Sequence, residues 1–354
     1  MAKQFLKGNE AIALAAIKAD IDAFFGYPIT PQNEVPEYLS TLLPQHNKVF
    51  VQAESEVAAI NMVYGAAGCG KRVMTSSSSV GIALKQEGIS YLSGAELPCV
   101  IVSVMRGGPG LGGIQPSQAD YYQAVKGGGN GDYQTIVYAP SNIQETVDLL
   151  VNGFDVAEKY RNPVMILIDG LIAQMIEAVD MDKPYKRPPF KNDFETIGTK
   201  YHGDRRVVNS LLLNPSLLEE HNLHLQKKYE IAKKEEVLVD YKDIEKADYV
   251  IVCYGTVSRI AKSAIKELTE LGYLVGLIRP ITLWPFPTEI FSKINPNAKG
   301  ILVTELSLGQ MLDDVLIANK NRFKVAFYGR TGGMVMNPEE IRDAIINFDK
   351  WVIK

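Results

Sequence analysis

The sequence predicts an α/β protein built as two consecutive doubly wound units, and three observations carry that expectation. Short β-branched or apolar runs alternate with helix-patterned segments in both halves, as a parallel sheet with crossover helices requires. The chain has 354 residues, enough for two domains of about 150 each. Between roughly 181 and 245 it turns polar, with the Pro188-Pro189 pair and then a charged run. The expected division is therefore a first unit over 1–185, a linker over 186–245 and a second unit over 246–354.

Taken in order, Asn9 is placed to cap a first helix, with Glu10 in its first turn and Ile12, Ala15, Ala16 and Ala19 at helical spacing. A short apolar segment, Ala23 to Phe25, leads into Gly26-Tyr27-Pro28-Ile29-Thr30-Pro31, which two prolines hold extended. A strand at Lys48–Gln52 and a helix through Val57, Ile60 and Tyr64 follow. Leu97–Met105 is a strongly β-branched run and reads as a buried strand. Asp132–Ala139 and Val164–Asp169 read as strands flanking a helix from Ile143 to Glu158. Residues 217–236 form a charged helix expected to lie exposed between the units. The second unit then alternates Tyr249–Tyr254, Leu274–Ile278, Gly300–Thr304 and Lys324–Tyr328 as strands with helices at Ile260–Leu271 and Gln310–Ala318.

Lys+Arg number 37 against 41 Asp+Glu, a net charge of −4, which gives no general case for nucleic-acid binding. Cys69, Cys99 and Cys253 are far apart, so neither a disulfide scaffold nor the four thiolates of an iron–sulfur cluster is available. No targeting segment is expected, because the apolar run Ala11–Ile17 is too short for one. No apolar run is long enough to span a bilayer, and a reduced, cytoplasmic setting without membrane association is expected.

The glycine-rich Arg106-Gly107-Gly108-Pro109-Gly110-Leu111-Gly112-Gly113 follows directly on a buried strand. Ligands bind at the carboxyl ends of parallel strands, glycines admit close backbone approach, and an arginine can grip a carboxylate with two parallel hydrogen bonds. A solvated surface turn is the plainer alternative, and the site reading is the preferred one. A second loop, Lys126–Asp132, fits a ligand contact or a tight turn equally well. Neither is a dinucleotide or Walker loop. Glu54 and Glu56 sit at a strand-to-helix junction, where acidic residues are favoured by the helix dipole in any case. His221 and His224 are one turn apart on the charged helix and read as a solvated face, while His46 and His202 stand alone. No metal site is expected.

Together these segments resemble the α subunit of 2-oxoacid:ferredoxin oxidoreductases. The likeness lies in Gly26–Pro31, Glu54-Ser55-Glu56, Glu96-Leu97-Pro98 and Arg106–Gly110. It continues in Tyr254-Gly255-Thr256, Arg279–Pro287, Glu305–Gln310 and Tyr328–Gly333, covering nearly all the chain but the linker. The resemblance implies a thiamine-diphosphate-binding fold, here its pyrimidine domain, followed by a transketolase C-terminal-like α/β domain. It implies that Glu56 hydrogen-bonds N1′ of the aminopyrimidine, that Thr30, with Pro28 and Ile29, lies beside cofactor and substrate, and that Arg106, with Gly107 and Gly108, holds the 2-oxoacid carboxylate. It further implies partner chains: a β subunit with the diphosphate site and Mg²⁺, a ferredoxin-like subunit with [4Fe–4S] clusters, and a γ subunit. CoA would be co-substrate and ferredoxin the acceptor. The run from Ile114 to Tyr121 is most similar to the branched-chain type, which acts on 3-methyl-2-oxobutanoate. Asn130 and Ser76–Val80 depart from the usual pattern.

Overall fold

The computed structural model describes residues 3–190, 193–198 and 205–353. Its centre is a seven-stranded sheet in the order β12-β6-β7-β5-β4-β2-β3. These strands are β2 (Ala23–Gly26), β3 (Val49–Gln52), β4 (Val73–Ser77), β5 (Cys99–Met105), β6 (Ile136–Tyr138), β7 (Pro163–Asp169) and β12 (Thr282–Trp284). Every pair is parallel except β12 with β6. β5 and β7 are buried at every position, as their unbroken apolar runs dictate. Helices α1 (Gly8–Lys18), α2 (Glu34–Gln45), α3 (Glu56–Gly68), α4 (Ser79–Gly94), α5 (Tyr121–Val125) and α6 (Ile143–Tyr160) flank the sheet. A two-stranded ribbon, β1 (Gln4–Lys7) with β8 (Ile176–Val179), closes one side. The short α7 (Gly170–Gln174) leads into it.

A second sheet has the order β14-β13-β10-β11-β9, formed by β9 (Val239–Lys242), β10 (Tyr249–Val252), β11 (Val275–Pro280), β13 (Gly300–Glu305) and β14 (Val325–Gly329). Helices α9 (Gly255–Glu270), α10 (Gln310–Asn319) and α11 (Pro338–Ile346) pack on it. The two sheets are joined through buried polar pairs. Asp169 at the end of β7 accepts from the Thr256 hydroxyl at 2.8 Å. Gln118 donates to Tyr254 O at 3.0 Å and accepts from Leu306 N at 2.9 Å. Arg279 grips Glu145 with two hydrogen bonds of 2.9 Å.

Four expectations change. The first helix begins at Gly8, and Asn9 does not cap it; its buried side chain instead donates to Pro31 O and Glu34. The strand expected over Asp132–Ala139 shrinks to β6, three residues long, with Asp132 O and Gln134 O bound instead by the side chains of Gln226 and Asn162. The charged helix, α8 (Pro215–Glu235), is docked rather than free: Leu225, Tyr229 and Ala232 are buried. Lys228 on the same helix pairs with Glu96. Finally β12, which follows residue 246, completes the first sheet instead of the second. His202 lies outside the described residues.

Candidate active site

The first sheet reverses its winding at β2: β3 is added on one side, then β4 and β5 on the other. Such a switch point opens a crevice at the carboxyl ends of the strands. The sequence places Thr30 just past β2, Glu56 past β3, Ser76–Ser79 at the end of β4 and Arg106 past β5. Four chain segments far apart in sequence thus meet at one sheet edge.

Arg106 is buried, yet among the described residues it forms no ion pair. Its Nη1 donates to Thr30 O at 3.0 Å and lies 3.4 Å from Thr30 Oγ1, its Nη2 donates to Leu111 O at 3.1 Å, and its Nε is unpartnered. A guanidinium has five N–H donors in a planar fork, so one edge is left for a planar anion. The loop it starts folds back on itself, with Gly107 N donating to Gln115 O at 3.0 Å and Gly113 N to Gly107 O at 2.9 Å. A Cβ on Gly107 would lie 3.3 Å from the backbone of Gly332. The second unit therefore braces the arginine loop.

Glu56 opens α3, where Ser55 is the N-cap and its hydroxyl accepts from Ala58 N at 3.1 Å. Its carboxylate is largely buried but accepts no hydrogen bond from any described residue. It faces the first turn of α4, where a Cβ on Gly81 would stand 2.5 Å from Glu56 Oε1. Close by, the buried hydroxyls of Ser77 and Ser78 are also unpartnered. Buried polar atoms are normally satisfied, so this group of orphans suits a polar heterocycle bound beside them. Donors and acceptors of this kind fit an aminopyrimidine ring.

Two groups that the sequence did not single out sit behind these residues. Ser79 accepts from Arg106 N at 2.9 Å and donates to Asp120 at 2.5 Å. Burial pushes the Asp120 carboxyl up to about 6, opposed by Ser79 and the Arg106 charge. Lys85, wholly buried on α4, donates to Thr75 Oγ1 at 2.7 Å. Its burial could be suspected from Gly81, Ile82, Lys85 and Ile89, which share one face at helical spacing. Pro28 and Thr30 are exposed at the crevice mouth, Ile29 is half-buried, and Gly107 and Gly108 lie beside Arg106. Glu54, the other junction carboxylate, is exposed. His221 Nε2 contacts Gly94 O at 2.7 Å and His224 contacts Glu96 at 3.2 Å. Among the described residues no cluster of side chains could hold a metal ion.

The chain is similar to known proteins over nearly its whole length. The profile of the pyruvate flavodoxin/ferredoxin oxidoreductase, thiamine diphosphate-binding family matches residues 14–241. That of pyruvate:ferredoxin oxidoreductase core domain II matches residues 247–341. The chain is 46% identical to the ketoisovalerate oxidoreductase subunit VorB of Methanothermobacter marburgensis, over 98% of this chain and 97% of that one. It is 34% identical to the 2-oxoglutarate synthase subunit KorA of Methanocaldococcus jannaschii, over 98% of this chain and all of that one. A solved 2-oxoglutarate:ferredoxin oxidoreductase from Magnetococcus marinus, with 2-oxoglutarate, coenzyme A and succinyl-CoA bound, superposes with a TM-score of 0.85 at 26% identity. That match covers 98% of this chain but 65% of the longer solved one. The chain belongs to the 2-oxoacid:ferredoxin oxidoreductase family, as a subunit built on the thiamine-diphosphate-binding fold.

Proposed function

We propose that the chain is the α subunit of an enzyme that oxidatively decarboxylates 3-methyl-2-oxobutanoate with CoA, giving the branched acyl-CoA, CO₂ and reduced ferredoxin. The observation that carries this is the buried Arg106 guanidinium, without an ion pair among the described residues and held against Thr30 in the same crevice as the buried Glu56 carboxylate. Thiamine diphosphate, when bound, supplies the nucleophilic carbon and the electron sink for loss of CO₂. Glu56 holds the proton shared with the ring nitrogen N1′. Arg106 fixes the substrate carboxylate through its free edge, and departure of that carboxylate as CO₂ removes the charge it held. Thr30, with Pro28 and Ile29, walls the reacting centre, and Gly107 and Gly108 let the loop backbone come close.

A cavity of about 640 Å³ opens beside Thr30, lined by Ile114, Pro116, Leu171 and Val335 and by Glu34 and Glu37. Among the described residues no cation lines it, which favours an apolar substrate side chain over a second carboxylate. The greater similarity to a ketoisovalerate subunit than to a 2-oxoglutarate subunit supports the same choice. The diphosphate and Mg²⁺ are assigned to a β subunit and the [4Fe–4S] clusters to a ferredoxin-like subunit, with a γ subunit completing a cytoplasmic complex. Within this chain, residues 1–185 serve as the pyrimidine domain and 246–354 as the transketolase C-terminal-like domain. No helix among the described residues is long and apolar enough to cross a membrane.

The test is anaerobic: the chain is purified with its native partners, and viologen reduction is measured with CoA across a panel of 2-oxoacids. Fastest turnover is expected on 3-methyl-2-oxobutanoate. Faster turnover on 2-oxoglutarate or pyruvate would overturn the substrate assignment. No reduction with any acid, despite bound thiamine diphosphate and iron, would overturn the ferredoxin-linked reading in favour of acyl transfer to a lipoyl group.

A further inference from the structure

The backbone that carries Arg106 is held by two side chains that the reaction as described does not use. β5 pairs with β7 as far as Met105, opposite Asp169, so Arg106 stands one residue beyond that ladder. Its N–H donates instead to Ser79 Oγ at 2.9 Å, in the first turn of α4. The same hydroxyl lies 2.5 Å from Asp120 Oδ2 and 3.4 Å from Arg106 O. A hydroxyl has one proton and two lone pairs. The nearer acceptor, Asp120, takes the proton, which turns a lone pair towards Arg106 N–H. Asp120 directly precedes α5, where a carboxylate commonly caps the helix, yet its side chain makes no cap hydrogen bond. The second unit fixes its place. Gln310, the first residue of α10, donates to Ala119 O at 2.7 Å and accepts from Tyr122 N at 2.9 Å, bracketing Asp120 on both sides.

We propose that Asp120 is a positioning residue that acts through Ser79. It directs the hydroxyl so that Arg106 N–H is anchored and the open edge of the guanidinium stays aimed at the 2-oxoacid carboxylate. This rests on the carboxylate-binding role assigned to Arg106. A side chain can point no more accurately than its backbone is held, and a misplacement of about 1 Å in a positioning group can cost on the order of a hundredfold. Were the Asp120–Ser79 bond only a fastening between α4 and the loop, its loss would lower stability and leave the KM for the 2-oxoacid alone.

The experiment uses the complex purified with its native partners, carrying Ser79→Ala, Asp120→Ala, Asp120→Asn, the Ser79→Ala, Asp120→Ala double variant and, in parallel, Arg106→Met. Viologen reduction is measured at varied 2-oxoacid and at varied CoA, with thiamine diphosphate content and Tm recorded for each. Ser79→Ala and Asp120→Ala are each expected to raise KM for the 2-oxoacid about tenfold while KM for CoA holds. Because both act on one anchor, the double variant is expected to show about the same tenfold rise rather than a hundredfold one. Asp120→Asn keeps an acceptor oxygen but not the charge, and a rise of about fivefold is expected, which covers the case that Asp120→Ala fails to fold. A KM within about twofold of the parent in Ser79→Ala or in either folded Asp120 variant overturns the proposal and leaves the role of Arg106 standing. Losses that multiply in the double variant overturn it as well, since Asp120 would then act by a route other than Ser79. A parental KM in Arg106→Met would instead overturn the carboxylate-binding reading on which the proposal rests.

Discussion

Replacing Arg106 tests the carboxylate-binding assignment most directly. Nε is free and Nη2 donates to a single carbonyl, so the open edge can make two charge-assisted hydrogen bonds to a substrate carboxylate. Each such bond is worth about 1.5–3 kcal/mol. Arg106→Lys keeps the charge but offers a point donor in place of a fork, and loses about one of them. The expected fall in kcat/KM is roughly 10–150-fold. Arg106→Met loses both bonds and the charge, for a fall of roughly 10²–10⁴-fold. The carbonyls of Thr30 and Leu111 that Arg106 now serves belong to exposed residues, so water can replace it there without a folding defect. The assay is anaerobic viologen reduction at varied 3-methyl-2-oxobutanoate, with thiamine diphosphate content checked in each preparation. Because the bond is made to the ground-state carboxylate as well, KM should rise in both variants. If Arg106→Met kept kcat/KM within about threefold of the parent, with full cofactor content, the carboxylate would have to bind elsewhere.

Three other outcomes are expected. Thr256→Val removes the hydroxyl from the fully buried Asp169; it should lower stability by about 1–3 kcal/mol in denaturant melts, with KM unchanged. Glu305 is buried and pushed up to about 7 by desolvation, from an ordinary value of 4.5. Its folded state therefore holds the proton more tightly than the unfolded one, and its contribution to stability, full below pH 4.5, is lost as pH rises through about 7. Relative to Glu305→Gln, the parent should lose up to about 3 kcal/mol over that window, read from paired melts at each pH. The His221→Ala, His224→Ala double variant should leave metal content and turnover unchanged, since those rings serve Gly94 O and Glu96; loss of a bound metal would refute this.

Local chemistry explains what was legible. β5 and β7 announce themselves as continuous apolar runs because a strand buried on both faces has no polar side to show. Thr30, Glu56 and Arg106 each follow a strand of the same sheet, so their common edge could be read as soon as that sheet was taken to be parallel. Pairing between distant segments left weaker traces. β12 looks like part of the second unit because its partner β6 lies more than a hundred residues earlier. The narrow stripe Leu225, Tyr229 and Ala232 is hidden among charges, so α8 reads as exposed.

By itself the sequence determined the α/β class and the residues that follow the strand ends, because periodicity and strand termini are local properties. The tertiary structure alone decided which charges are buried and what they face. Arg106, Asp120 and Lys85 are ordinary charged letters in the chain. Only removal from water raises the proton affinity of Asp120, lowers that of Lys85 and leaves hydrogen-bonding groups of Arg106 open to a ligand.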